Sequence, residues 1–325
     1  MYGYVWKFSR ICEQFIGVEK ELAEDNIINL KAKNEIILEE RELEGKTEEW
    51  AYLEEYYNAE KNIAEKLIRL RDSRNIKKIS GFDKKIKALE KQTDIELSDK
   101  QLEAIKAIND NNICVITGGP GTGKTTIIKT ILELYKQEGK KVVLCAPTGR
   151  AAKRMSETTG EDAKTLHRLL ELGKIVSDDN QEINTELAIT PIDADIIIID
   201  EVSMVDIFLM NYLKGVYQGS KLILVGDVDQ LPSVGPGNVL KDIINSQEIV
   251  TIVLNKIFRQ AAKSKIIVNA HKVNDGIEFL DEVSSNEDTI DDFDFIQENN
   301  PKKVQEMILD IYDKDTQIIT PTKKG

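Results

Sequence analysis

The chain has 325 residues, 41% hydrophobic and 31% charged, enough for one large or two ordinary domains around a buried core. No apolar run reaches the length of a membrane span and residues 1–10 lack the order of a secretion signal. Three scattered cysteines and two histidines give no basis for a disulfide framework or a zinc site, so a reduced, cytoplasmic setting and no membrane contact are expected.

The net charge of −13 is unevenly spread. Residues 1–60 are acidic, and the stretch from Glu278 to Glu298 holds nine acidic residues and no basic one. Between residues 124 and 154 the sign reverses: Lys124, Lys129, Lys136, Lys140, Lys141, Arg150, Lys153 and Arg154 face only Glu133 and Glu138. A polyanion could bind there while the rest of the chain repels it. A solvated helix surface would show the same composition.

Residues 1–95 read as a helical region, with a winged-helix-like unit as an alternative for 1–60. Ile11, Phe15 and Val18 are helix-spaced. Leu22, Ile27, Leu30, Ile36 and Leu38 follow among many charges. A stronger helical pattern runs from Trp50, Leu53 and Tyr57 through Ile63, Leu67 and Leu70, and a second helix carries Phe82, Ile86 and Leu89. A boundary is expected near Gln92–Leu97, with one α/β domain over 96–325. Ser98-x-x-Gln101 is a capping box. The Gln101 amide also has the donor and acceptor that the N6/N7 edge of adenine requires.

The stretch Gly118-Gly119-Pro120-Gly121-Thr122-Gly123-Lys124-Thr125-Thr126 follows an apolar run, Ile113 to Ile116. It precedes Ile127, Ile128, Ile131, Leu132 and Leu134, spaced for a buried helix stripe. Strand, glycine loop and helix start make a P-loop. Glycines let consecutive N–H groups of the loop, including those of Gly119, Gly121, Thr122, Gly123 and Thr126, close around phosphate, and the helix N-terminus adds its dipole. Lys124 would reach the β/γ-phosphates and Thr125 would hold Mg²⁺, so ATP with Mg²⁺ is the expected ligand pair.

Buried strands are expected at 141–146, 195–199, 221–226 and 249–254, and a last one at 316–321. Asp200 and Glu201 end the second of these, the first placed for Mg²⁺ and the second for the attacking water. The loop Pro147-Thr148-Gly149-Arg150 opens a helix after a strand, where Thr148, Arg150 and the helix-start amides could hold phosphodiester groups or simply form a turn. Thr165-Leu166-His167 starts a further short helix, its histidine reading equally as structural or as a ligand contact. Gln230 is positioned to sense a γ-phosphate, and Arg259 to supply charge to the transferring phosphoryl. Residues 173–194 read as a polar insertion.

GGPGTGKTT, APTGRAAKRM, IIIDEVSMVD, VGDVDQLPSVGPG and LNKIFRQ occur in the order of superfamily 1 helicase motifs, and their wording resembles the RecD-like DNA helicases of superfamily 1B. LSDKQLEAI resembles the Q motif of that group, and IVNAHKVNDG and QIITPTKKG also resemble its pattern. The resemblance covers roughly residues 50–325. It implies an α/β, RecA-like P-loop NTPase domain with a mostly parallel sheet, preceded by a small α-helical domain. It further implies ATP-driven 5′→3′ movement on single-stranded DNA or at a single-strand/duplex junction.

Carried onto this sequence, Lys124, Thr125, Asp200, Glu201, Gln230 and Arg259 fall on the ATP side, with Gln101 toward adenine. Pro147, Thr148, Arg150, Thr165 and His167 fall near the DNA backbone. The second motor domain of the family is not found among these residues, so the chain is expected to be a fragment of weak activity. A DNA-independent P-loop ATPase or kinase shares Lys124 and Asp200 but has no need of Gln230-Leu231-Pro232. A relaxase-type or Pif-type helicase is the nearer alternative.

Overall fold

The computed structural model describes residues 2–4, 14, 17–43, 45–93, 95–171, 192–216, 219–258, 261–277, 290 and 292–320. The chain divides into two compact units, Met1–Phe258 and Arg259–Gly325.

The first unit opens with β1 (Tyr2–Tyr4), α1 (Lys20–Ala32), β2 (Ile36–Leu43) and β3 (Lys46–Leu53). The strands form a small antiparallel sheet in the order β1-β3-β2. The helical expectation for residues 36–53 is therefore corrected to a hairpin. Gly45, at φ 76°, makes its turn. Pairing of Arg41 with Glu48 and of Glu39 with Trp50 puts these side chains on one face. The Arg41 guanidinium lies 5.3 Å from the Trp50 ring and 5.2 Å from Tyr52. These cross-strand contacts override the helix propensity of a Glu-rich segment.

The chain continues with α2 (Glu54–Asp72), α3 (Phe82–Thr93), α4 (Asp99–Asp110), β4 (Ile113–Gly118), α5 (Lys124–Gln137), β5 (Val142–Ala146), α6 (Gly149–Thr159), β6 (Ala163–Thr165) and α7 (Leu166–Leu169). Then come β7 (Ile196–Ile199), a 3-10 turn (Val202–Met204), α8 (Ile207–Asn211), β8 (Lys221–Gly226), α9 (Val239–Ser246) and β9 (Thr251–Leu254). Six strands form one sheet in the order β6-β5-β7-β8-β4-β9, with every pairing parallel. This is the RecA-like α/β arrangement expected.

Both faces of the sheet are covered, which is why its central strands read as unbroken apolar runs. Val115, Ile197, Ile199 and Leu224 join α2, α8 and α9 in one core. Cys114, Ile116, Ile198 and Val225 join α3, α4 and α5 in the other. The helices before residue 96 thus complete both cores of the sheet. Because all strands run the same way, their carboxyl ends share one edge, where ligands bind in such sheets.

The second unit contains α10 (Lys265–Asn274) and α11 (Pro301–Ile311). Ser264 bridges to Ile290, and its hydroxyl donates to Asp292 at 2.6 Å. Residues 312–320 carry no strand, so the strand expected at 316–321 is not formed in its described part. Most of the acidic stretch 278–298 and of the insertion 173–194 lies outside the described residues.

Lys221 locks the sheet to α4. Its side chain is fully buried, and Nζ donates to the carbonyls of Ile108, Asn109 and Asn111 at 3.0, 2.9 and 2.8 Å. The first two are end carbonyls that α4 leaves without donors and the third belongs to its C-cap residue, and the helix dipole favours a cation there. Burial pulls the ammonium pKa down to about 8. Lys221→Met keeps the length of the side chain and removes all three donors. It is expected to lower stability by about 2–4 kcal/mol, read as a lower urea midpoint at constant m-value. A loss below about 0.5 kcal/mol would mean that other donors serve those carbonyls.

Candidate active site

The carboxyl ends of β4, β7 and β8 bring the phosphate-chemistry residues together. Gly118 ends β4 where only a hydrogen fits: a Cβ would stand 2.5 Å from the Leu254 carbonyl oxygen and 2.8 Å from Thr122 Oγ1. Gly121 and Gly123 sit at φ 74° and 85°, and a Cβ at 123 would also meet the Phe258 ring at 2.9 Å. Thr122 is buried and its hydroxyl donates to the Gly119 carbonyl at 2.8 Å. Gly123 caps α5 with no side chain, and the first turn holds no acidic residue. The amides at that helix start are left to an anion.

Lys124 folds back over the loop, its ammonium donating to the carbonyls of Gly118 and Gly119. Burial pushes its pKa down, while Asp227, Glu201 and Asp200 oppose the fall. Thr125 is exposed on the first turn of α5 and Thr126 is half-buried beside it.

The Asp200 amide donates to the Cys145 carbonyl at 2.9 Å, and one carboxylate oxygen accepts from the Glu201 amide at 2.9 Å. Glu201 adopts a left-handed φ of 54°, sparse for a residue with a side chain, and this turns the chain into the 3-10 segment. Glu201 Oε2 is buried without a hydrogen-bond partner. Burial raises the pKa of both acids; for Glu201 the neighbouring Asp200 adds to the rise, and Lys124 and Arg154 oppose it for both. Among the described residues, no group of three or more His, Cys, Asp or Glu is arranged to hold a metal alone. A Mg²⁺ ion held by few protein ligands would complete its shell with water and phosphate oxygens, which fits the Asp200 and Thr125 positions.

Gln101 is 1% exposed. Its oxygen accepts from the Ser98 amide at 3.0 Å, the Ser98 hydroxyl accepts from the Gln101 amide at 3.4 Å, and Nε2 donates to the Gly123 carbonyl at 3.4 Å. The capping box is formed, and the same amide braces the phosphate loop. Covered in this way, Gln101 would have to shift to touch a base.

The Gln230 side chain is exposed, and its backbone N–H donates to the Asp227 carbonyl at 3.3 Å. Beyond it, Leu231 and Val234 are fully open to solvent, at 87% and 108%. The far end of this loop is fixed: Pro236 O accepts from Ile207 N at 2.9 Å, and Gly235 packs so closely that a Cβ would collide with the Asp206 carboxylate.

The register pairs Ala146 with Thr165, so Pro147-Thr148 and Thr165-Leu166 leave the sheet side by side. The Thr148 and Thr165 hydroxyls cap α6 and α7, accepting from the amides of Ala151 and Arg168 at 3.2 Å each. Pro147 is half-buried, and Arg150 and His167 are exposed on this edge. Arg259 lies outside the described residues.

Residues 101–236 match the AAA_19 family, described as an AAA domain. The ATP-dependent RecD2 DNA helicase of Deinococcus radiodurans is 42% identical over 176 residues, 54% of this chain and 23% of that protein. The RecBCD enzyme subunit RecD of Mycobacterium tuberculosis is 30% identical over 288 residues, 77% of this chain and 45% of that one. Over these stretches the chain is homologous to RecD-like helicases. It spans less than half the length of these curated relatives. Among solved structures, the Pif1 helicase from Candida albicans is 25% identical with a TM-score of 0.40 over 57% of this chain and 45% of that one, too loose a likeness to build on.

Two further groups at this edge carry no role in the sequence reading. Asp227 is buried at the end of β8, and its carboxylate accepts from the Asp229 amide at 3.1 Å while acting on Lys124. It stood inside a quoted motif, but its facing of Lys124 exists only in three dimensions. Arg154, on α6, lends positive charge to Asp200 and Glu201. The one signal for it was the basic excess around residues 124–154.

The raised Glu201 pKa has a thermodynamic sign. In the window between its ordinary and raised values the folded state binds more protons than the unfolded chain, so stability falls as pH rises through it. The penalty is present above the raised value and absent below the ordinary one. Glu201→Gln is expected to raise the melting temperature by about 1–3 °C at pH 7.5 and by nearly nothing near pH 4. Equal melting temperatures at pH 7.5 would show that Glu201 is better solvated than its burial suggests.

Proposed function

We propose that this chain carries the ATP-hydrolysing site of a DNA translocase. The supporting observation is Glu201: a buried carboxylate oxygen without a partner, beside Asp200 and across from Lys124 at the head of a glycine loop. Glu48 Oε2 in the antiparallel sheet is also without a partner, so the missing bond alone does not single out Glu201; its place beside Asp200 and across from Lys124 at the end of β7 does. A carboxylate that must accept a proton from water there keeps an oxygen available.

In this reading the loop amides and the α5 N-terminus hold the β- and γ-phosphates, with Lys124 turning its ammonium from the loop carbonyls to them. Mg²⁺, when bound through Asp200 and Thr125, neutralises charge on the β- and γ-oxygens. Glu201 orients the attacking water and takes its proton. Gln230, at the exposed start of its loop, reads the γ-phosphate. Arg259 is retained as a further cation and Gln101 as a purine contact.

Single-stranded DNA is proposed to run along the strand ends that present Pro147, Thr148, Arg150, Thr165 and His167. Both threonine hydroxyls keep a free proton while capping, and can donate it to phosphate. The 5′→3′ direction rests on the RecD-like resemblance alone. No described helix is long and apolar enough to cross a membrane.

Lys124→Ala should weaken Mg-ATP binding by at least about tenfold, the loss of a charge-assisted contact. ATP turnover, where measured, should rise with single-stranded DNA; turnover indifferent to DNA would favour a DNA-independent ATPase. Arg150→Ala is expected to weaken DNA binding and to flatten the slope of log affinity against log salt by about 0.7, with nucleotide affinity unchanged. A matched loss of both affinities would remove Arg150 from the DNA track.

A further inference from the structure

Ser203 is 7% exposed, and its hydroxyl is buried with no hydrogen-bond partner. Serines in tight turns ordinarily bond nearby backbone. Glu201 Oε2, two residues earlier, is unmatched in the same way. Both belong to the turn that the left-handed Glu201 creates, closed by Met204 N to Glu201 O at 3.1 Å and Val205 N to Val202 O at 2.9 Å.

This turn is pressed against the end of β8. A Cβ on Gly226 would lie 3.2 Å from Val202 N and 3.3 Å from Ser203 N. Gly226 immediately precedes Asp227, which opens the loop carrying Gln230. Ser203 therefore stands where the backbone bearing the hydrolytic carboxylate meets the strand end bearing the candidate γ-phosphate sensor. An unmatched buried hydroxyl is unfavourable in this state, and alanine would pack as well. A second state in which the hydroxyl is bonded would account for a serine here.

We propose that Ser203 is a positioning residue of the hydrolytic site. With nucleotide bound, its hydroxyl takes up a hydrogen bond that fixes the Glu201 turn against the Asp227–Gln230 loop, so that Glu201 and Gln230 hold one water in line with the γ-phosphorus. This deepens, and rests on, the ATPase reading above. In the step so arranged, the water oxygen forms the new bond to phosphorus and its proton passes to Glu201. The bond from phosphorus to the bridging oxygen breaks, its electron pair leaving on ADP. Ser203 touches none of these atoms.

The test is binding of fluorescent ADP with Mg²⁺, alone and with aluminium fluoride, a mimic of the transferring phosphoryl, to this chain and its variants. Wild type should bind the fluoride complex more tightly than ADP. Ser203→Ala should hold ADP affinity within about twofold and lose about tenfold for the fluoride complex, the worth of one hydrogen bond. Its melting temperature should equal or exceed wild type, because an unmatched hydroxyl has gone. Ser203→Cys, similar in size but a weak donor, should fall between.

A lowered melting temperature with equal losses for both ligands would make Ser203 structural and overturn the proposal. Unchanged binding of both would overturn it too, as would a wild type that gains nothing from fluoride while binding ADP through Lys124. Failure of the underlying reading looks different: Lys124→Ala would then leave ADP binding intact.

Discussion

An imbalance of buried charge governs the carboxyl edge of the sheet. Lys124 stands opposite Asp200, Glu201 and Asp227, one ammonium for three carboxylates, in a region where burial disfavours the charged form of Lys124, Asp200 and Glu201. Arg154 offsets part of the excess from α6. Such a cluster is poorly matched by itself and well matched to a divalent cation with a polyphosphate, since the cation relieves the acids and the phosphates relieve the cations. The glycine loop is the complementary half. At Gly118 and Gly123 the backbone fits so tightly against Leu254 and Phe258 that side chains are excluded, and the space over the loop belongs to its amides. Electrostatics and sterics therefore select the same class of ligand from opposite sides.

The fold was legible where one physical signal dominated. Four isoleucines at 196–199 or the run 221–226 can be buried on both faces only in a covered parallel sheet, and that is how they are used. The P-loop was legible because strand, glycines and helix stripe follow one another in sequence. The hairpin at 36–53 was not. Its strands are rich in Glu and Leu, both good helix formers, and what opposes that is a face built by Arg41, Trp50 and Tyr52 across the register. Pairing of that kind has no one-dimensional trace, and only Gly45 marked the turn.

The candidate site shows the same division. Lys124, Asp200 and Glu201 could be named because local context fixes their place relative to a strand end. Asp227, Arg154 and Ser203 stand against neighbours far along the chain: Lys124 for the first, the acid pair for the second, Gly226 for the third. Gln101 is intermediate. Its cap was readable from Ser98, while its bond to the Gly123 carbonyl required the fold. Together they join α4, through one amide, to the loop that would cradle phosphate.

The loop from Gln230 to Gly237 indicates how a nucleotide signal could leave this site in the proposed motor. Its start is tied to β8 by the Gln230–Asp227 turn, and its end is held on Asp206 and Ile207 through Pro236 and the close-packed Gly235. Between these anchors Leu231 and Val234 project into solvent with no packing of their own. Between them the Ser233 hydroxyl donates to the Gly235 and Gly237 carbonyls at 3.0 and 3.2 Å, tying the middle of the loop to its far anchor. The near anchor is also the part that Gln230 and, through Gly226, Ser203 would reset on γ-phosphate binding. Two packed anchors with a bare tip form a discrete mechanical element, which coupling between a phosphate site and a second surface requires. In the proposed motor the exposed apolar tip would be the output side of that element.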